Sequence, residues 1–306
     1  MKVAFAGTPE FAATVLRGLD GSTHEIGLVV SQPDPRRGRG RRRTPNPVSV
    51  LARNRKLPLL QPARISDVAA EISENDALVV AAYGQILRAD TLRAAPHGAW
   101  NVHASLLPRY RGAAPVERAI MEGEKRTGVS IVQMDEGLDT GPVALQRSVP
   151  IAADTTGGEL TDTLAGVGAD AVVEVLNLLE KGGLTLAAQD SRFATYASKL
   201  LDEDKVVRWG WGAGAVHDLV RALAPGIGAR AFHPDGGRPV KIWRSAVWDR
   251  GRSGTTPGRI RLTNRRLLVE CGVGVLEVLE LQVPGGRRVR ATDFLLGRRL
   301  EGAFEA

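Results

Sequence analysis

The 306-residue chain holds a single cysteine, Cys271. One thiol can neither close a disulfide within the chain nor supply a Cys-based zinc site, so a reducing cytoplasm and no metal are expected. No apolar run approaches the length needed to span a bilayer, and residues 1–7 enter a strand pattern directly rather than a secretory leader; a soluble protein is expected. The glycine-rich dinucleotide fingerprint is also missing. Gly7 stands alone in its turn, which excludes the usual reason to expect a nicotinamide or flavin cofactor. Aromatic residues make up only 5% of the chain. In the C-terminal third they do not interleave with basic residues in the way that stacks single-stranded bases, which favours backbone contact with any nucleic acid over base reading.

Negative charge is scarce in two places. Residues 209–306 carry 16 Lys and Arg against 9 Asp and Glu, a net +7, whereas residues 1–208 carry 25 of each. Within that balanced part, residues 36–43 (RRGRGRRR) hold six arginines and no acid. Positive potential is thus gathered in one loop and one C-terminal domain, the footprint of a polyanionic partner such as nucleic acid. A solvated basic surface is the alternative.

The N-terminal half alternates strand and helix patterns. Residues 2–6 read as a strand, 9–19 as a helix with Pro9 at its start and Phe11, Val15 and Leu19 on one face, and 26–31 as a second strand. Residues 76–82 form a buried strand pattern, and 156–181 a long amphipathic helix. This is the opening of a Rossmann-like, doubly wound α/β domain. Residues 32–47 have no apolar anchor and are expected to form a mobile surface loop. After residue 209 a helical pattern precedes several short strands with a Pro284-Gly285-Gly286 turn, which reads as a small antiparallel barrel. The expected organisation is an α/β domain over 1–184, a linker over 185–208 and a β-barrel domain over 209–306.

The candidate site lies in residues 98–142. Asn101 and His103 are two apart at the end of a short apolar strand pattern, so both project from one face, at the carboxyl end where open α/β sheets bind ligands. A second strand pattern, Val129, Ile131 and Gln133, leads to Asp139 on a turn. An amide, an imidazole and a carboxylate can together stabilise an oxyanion and accept a proton while an amine attacks a carbonyl carbon directly, without a Ser or Cys nucleophile. On spacing alone, Asn101 and His103 read equally well as structural residues.

The motif NVHASLLPRYRG (101–112) followed by Asp139-Thr140-Gly141 resembles the signature of the folate-dependent formyltransferases, in particular their methionyl-tRNA formyltransferase branch. The resemblance runs in order from Lys2 to about Arg299. It implies Asn101, His103 and Asp139 as catalytic residues and 10-formyltetrahydrofolate as co-substrate. It further implies Ser105, Leu106, Leu107 and Pro108, with Tyr83 and Gly84 of the AAYGQIL stretch, as folate-binding residues. Ala104 stands where relatives often have Gly. The arginine loop (Arg36, Arg37, Arg39, Arg41, Arg42, Arg43) and the linker lysines Lys199 and Lys205 are similar to the elements with which that branch holds initiator methionyl-tRNA, and the C-terminal strands to its OB-like domain. The rival readings are a formyltransferase acting on a small-molecule amine, a formyl-folate hydrolase, and a non-catalytic RNA-binding protein on the same scaffold.

Overall fold

The computed structural model describes residues 1–37, 42–233, 237–251, 256–297, 300 and 302–305. They form two compact units. The first comprises residues 1–115, 126–150 and 161–198; the second comprises residues 116–125, 151–160 and the chain from 199 onward.

The first unit is built on a sheet laid down by β1 (Lys2–Gly7), β2 (Glu25–Val30), β5 (Leu59–Leu60), β6 (Ala77–Ala81), β7 (Ala99–His103), β8 (Arg126–Gln133) and β9 (Val143–Pro150), after the separate ribbon of β3 (Arg36–Arg37) and β4 (Arg42–Arg43). Its order is β5-β2-β1-β6-β7-β8-β9. The strands from β5 to β7 are parallel, β8 adds antiparallel to β7, and β9 antiparallel to β8. The sheet is therefore mixed, and the antiparallel pair β7–β8 returns the chain from His103 to the loop that carries Asp139. Strand β6 is fully buried and β1 is buried from Val3 onward, the pattern of strands covered on both faces. Helix α1 (Glu10–Asp20) buries Phe11, Val15, Leu16 and Leu19, the i, i+4, i+8 stripe expected from the sequence. Gly7 makes the preceding turn possible: a Cβ there would sit 2.6 Å from that of Ala12 and 2.9 Å from the carbonyl of Ala81.

Helix α2 (Pro47–Arg55) begins at Asn46, whose side chain accepts the Ser49 N–H at 3.0 Å. Arg36 pairs with Arg43 and Arg37 with Arg42 in an antiparallel ribbon; Arg39 and Arg41 lie outside the described residues. The base of the ribbon is held by Asp34, which accepts from Asn46 N–H (3.1 Å), Ser49 Oγ (2.9 Å), Gln61 Nε2 (2.9 Å) and Arg53 (3.1 Å). Burial alone would raise the carboxyl of Asp34; donors from Gln61, Asn46, Arg53 and Ser49 outweigh it and bring the pKa to about 2. One carboxylate thus ties the start of the 32–47 stretch to α2.

Helices α3 (Ala69–Ser73), α4 (Ala89–Leu92), α5 (Pro115–Met121) and α6 (Gly157–Glu180) follow. Residues 187–197 lie back on the first unit. Ala187 bridges to Val143, and Thr195 and Ala197 exchange backbone hydrogen bonds with Arg111 at 2.8 and 2.7 Å.

The second unit packs α7 (Ala213–Ala222) against a six-stranded antiparallel sheet of β10 (Ala229–Ala231), β11 (Val240–Asp249), β12 (Ile260–Thr263), β13 (Arg266–Glu270), β14 (Val275–Gln282) and β15 (Val289–Arg290), closed by α8 (Ala291–Gly297). Its core gathers Trp209, Val216, Val220, Ile242, Val269, Leu276 and Leu281, with Met121 packed against it. Among the described residues no helix is long and apolar enough to cross a membrane.

Candidate active site

The site grows from the end of β7. Asn101 and His103 share a face of this strand, and Gly112 and Asp139 are delivered to that face by two loops. The carboxylate of Asp139 is the hub. Its Oδ1 accepts from Asn101 Nδ2 at 3.2 Å, its Oδ2 accepts the Gly112 N–H at 2.8 Å, and His103 Nδ1 lies 3.6 Å from Oδ2. Because a carboxylate only accepts, the Asn101 amide must turn its nitrogen toward Asp139. One Nδ2 hydrogen is left for a ligand.

His103 is buried, and its Nε2 lies 2.9 Å from the carbonyl of Tyr110. A carbonyl also only accepts, so Nε2 carries a hydrogen. Nδ1 then faces the Asp139 carboxylate.

Two backbone features put Asp139 there. Its φ of +53° is a left-handed conformation that Asp tolerates better than most residues. Gly112, at φ +117°, lies so close to the strap that a Cβ would meet the Ala197 carbonyl at 2.8 Å. Gln189, which the sequence reading passed over, fastens both loops. Its Nε2 donates to the carbonyls of Asp139 (2.8 Å) and Gly141 (2.7 Å), and its Oε1 accepts from Arg111 at 2.8 and 3.2 Å. The sole hint in the sequence was a glutamine in a charged, irregular stretch. Gln189→Leu is expected to lower kcat about 10-fold or more with a smaller change in KM, because buried carbonyls left without a donor cost about 1–3 kcal/mol. Steady-state kinetics on a variant of unchanged melting temperature checks this; an unchanged kcat would refute the fastening role.

The other sequence candidates fall in two groups. Ser105 is fully buried, its Oγ donating to Arg109 O at 2.6 Å. The Leu107 N–H donates to Ser130 Oγ at 3.0 Å, and the Leu107 carbonyl accepts from Gln146 at 2.8 Å. The Pro108 carbonyl accepts from the Thr195 N–H at 3.3 Å. These main-chain groups of 105–108 are therefore engaged within the protein, while Leu106 and Pro108 are half-buried. Tyr83 is 2% exposed and belongs to a core cluster with Leu78 and Leu87. Burial pushes its phenol up to about 12. Gly84 (φ +87°) is exposed at the end of β6, and so is Ile86, at 89%. Lys199 is exposed, whereas Lys205 is half-buried and pairs with Asp202 at 2.9 Å. Among the described residues no cluster of His, Cys, Asp or Glu is placed to hold a metal ion.

An amide, an imidazole and a carboxylate meeting at a strand end, with no nucleophile among them, match direct acyl transfer to an amine. Models of two families match the chain: formyl transferase over residues 1–176, and the formyl transferase C-terminal domain over 199–299. The chain belongs to the formyl transferase family. Among curated members of this family, the methionyl-tRNA formyltransferase of Rubrobacter xylanophilus is 64% identical over 304 residues, covering 99% of both chains. That of Carboxydothermus hydrogenoformans is 43% identical over 98% of this chain and 97% of its own. Among solved structures, an N-formyltransferase from Helicobacter canadensis, in complex with folinic acid and dTDP-3-aminofucose, aligns with a TM-score of 0.68 at 15% identity, covering 91% of this chain and 98% of that one. At that identity the likeness shows the formyl transferase fold alone, an α/β domain followed by an antiparallel β domain.

Proposed function

We propose that the chain transfers the formyl group of 10-formyltetrahydrofolate to the α-amino group of initiator methionyl-tRNA in the cytoplasm, for translation initiation. The observation that carries this reading is the single carboxylate of Asp139 gripping Asn101, Gly112 and His103 at the end of β7. Full-length likeness to proteins named methionyl-tRNA formyltransferase supports the choice of acceptor.

The α-amino group has an ordinary pKa of about 8, so an appreciable neutral fraction exists at pH 7 and needs little activation. The amine attacks the formyl carbon, and the carbonyl electron pair moves onto oxygen. The free Nδ2 hydrogen of Asn101 meets that oxyanion directly. His103 joins by exchanging the Tyr110 carbonyl for the substrate oxygen at Nε2, and Asp139 balances its charge. Asp139 takes the proton lost by the amine, directly or through a water. Collapse breaks the bond from the formyl carbon to N10 of the folate, and that nitrogen recovers the proton. Asn101, His103 and Asp139 are the catalytic residues in this reading.

The folate is held by Ser105, Leu106, Leu107 and Pro108 with Tyr83 and Gly84. Since the main chain of 105–108 is largely engaged, the contribution of this loop is surface, and Ile86 extends the wall beyond Tyr83. Leu138, 60% exposed beside Asp139, offers apolar surface on the opposing loop.

The tRNA is held by Arg36, Arg37, Arg39, Arg41, Arg42 and Arg43, with Lys199 and Lys205 from the linker. Arg39→Ala is expected to weaken tRNA binding and reduce the slope of log K against log salt by about 0.7–0.9. Binding titrations between low and moderate salt measure it, and an unchanged slope with unchanged affinity would remove the loop from the interface. Formyl transfer to charged initiator tRNA, compared with charged elongator tRNA, small amines and water, tests the function as a whole. Preference for a small amine, or formate release to water alone, would refute it.

A further inference from the structure

Several large apolar side chains in the first unit are exposed. The four most exposed large ones are Ile86 (89%), Tyr196 (67%), Phe193 (65%) and Leu138 (60%). Leu138 adjoins Asp139, and Ile86 follows β6, the strand that pairs with β7 through Val80 and Asn101. Tyr196 and Phe193 belong to the strap that lies on the catalytic loop. Large apolar side chains left exposed on the segments that carry or brace a catalytic centre mark surface that something covers.

Tyr196 has the most defined place. Its backbone bridges in parallel to Arg111. On either side, Thr195 Oγ1 accepts the Tyr110 N–H at 2.9 Å and the Ala197 N–H donates to the Arg111 carbonyl at 2.7 Å. Tyr110 is the residue whose carbonyl holds His103, and Gly112 the one whose N–H holds Asp139. The Tyr196 backbone is therefore locked one residue from both contacts, while its ring stands in solvent. Core packing does not account for a fixed, exposed ring at this point. Arg109, exposed on the loop that the strap pairs with and 5.0 Å from the Tyr110 ring centroid, adds positive charge to that loop.

We infer that Tyr196 is a stacking platform for the nucleobase of the 3′-terminal nucleotide to which the reacting amino acid is esterified. The inference rests on the proposed function and adds a residue and a contact to it. An α-amine on a ribose ester is separated from its own base by only a few bonds. A substrate whose amine reaches Asn101 and His103 must therefore set that base down near the catalytic loop. A flat ring on a rigid backbone beside a cation suits an unpaired base and stacks any base face. This base contact lies at the strap; for the C-terminal domain the sequence argued for backbone contact only.

The test uses acceptor-stem RNA hairpins carrying methionine on a 3′-terminal adenosine, or on the same terminal ribose without its base, with 10-formyltetrahydrofolate as donor. Removing a stacked partner costs about 1–3 kcal/mol, roughly 5- to 150-fold. Tyr196→Ala is expected to raise KM for the adenosine hairpin by at least about fivefold, with kcat little changed and KM for the abasic hairpin unmoved. Tyr196→Phe and Tyr196→Trp restore the wild-type difference between the two hairpins. If Tyr196→Ala affects both hairpins equally, or neither, the platform is refuted while formyl transfer stands. If the wild-type protein formylates neither hairpin nor full-length charged tRNA, the proposed function is refuted and the platform with it.

Discussion

Asp139→Asn is expected to lower kcat for formyl transfer by about 10²- to 10⁴-fold, with the protein still folded. The substitution keeps size and shape, and asparagine accepts the left-handed backbone at φ +53° about as readily as aspartate. What changes is the hydrogen-bond arithmetic. The carboxylate accepts from Asn101 Nδ2 on one oxygen and from Gly112 N–H on the other. An amide has one accepting oxygen, so its NH2 must face one of these donors and push it away. It also removes the negative charge beside His103 and the acceptor for the amine's proton. Single-turnover transfer measured at saturating substrate reads the effect; a rate within threefold of wild type would sink the assignment of Asp139.

His103→Ala is the second large effect, again about 10²- to 10⁴-fold in kcat. Two consequences of the substitution separate cleanly. The Tyr110 carbonyl loses its donor, which costs stability of about 1–3 kcal/mol and shows in thermal unfolding. The rate loss should exceed anything that this loosening explains, because the hydrogen and positive charge available to the formyl oxygen are gone. A variant that melts lower but turns over within threefold of wild type in a single turnover would leave His103 a structural residue. The same ring holds the catalytic loop at rest, so turning Nε2 to the substrate oxygen must release Tyr110, the neighbour of the residue paired with Tyr196.

The parts of the site that could be read early share a property. Asn101 and His103 are two apart on a strand, and period-two geometry alone puts them on one face. Asp139 follows a strand pattern and sits on a turn, so its delivery to a strand end was also legible. Gln189 was not, because nothing local distinguishes a glutamine that bridges Arg111 and Asp139 from one in a solvated linker. The motif of Tyr83 read equally as pocket wall or as core; the ring is buried, and the exposed side chain of that stretch is Ile86. The arginine stretch read as a mobile loop from composition; composition did not show that Asp34, just before it, collects donors from Asn46, Ser49, Arg53 and Gln61.

Local sequence was sufficient for the alternating strands and helices of the first unit, the two-residue spacing of the amide and imidazole, and the clustering of positive charge, since each depends on neighbours in the chain. Tertiary structure alone decided that the sheet turns antiparallel after β7, that residues 116–125 and 151–160 join the C-terminal unit, and that a strap from beyond α6 braces the catalytic loop beneath an exposed tyrosine. Those outcomes depend on hydrogen bonds and packing between residues tens of positions apart, where side-chain periodicity carries no information and the partner is chosen by the fold as a whole.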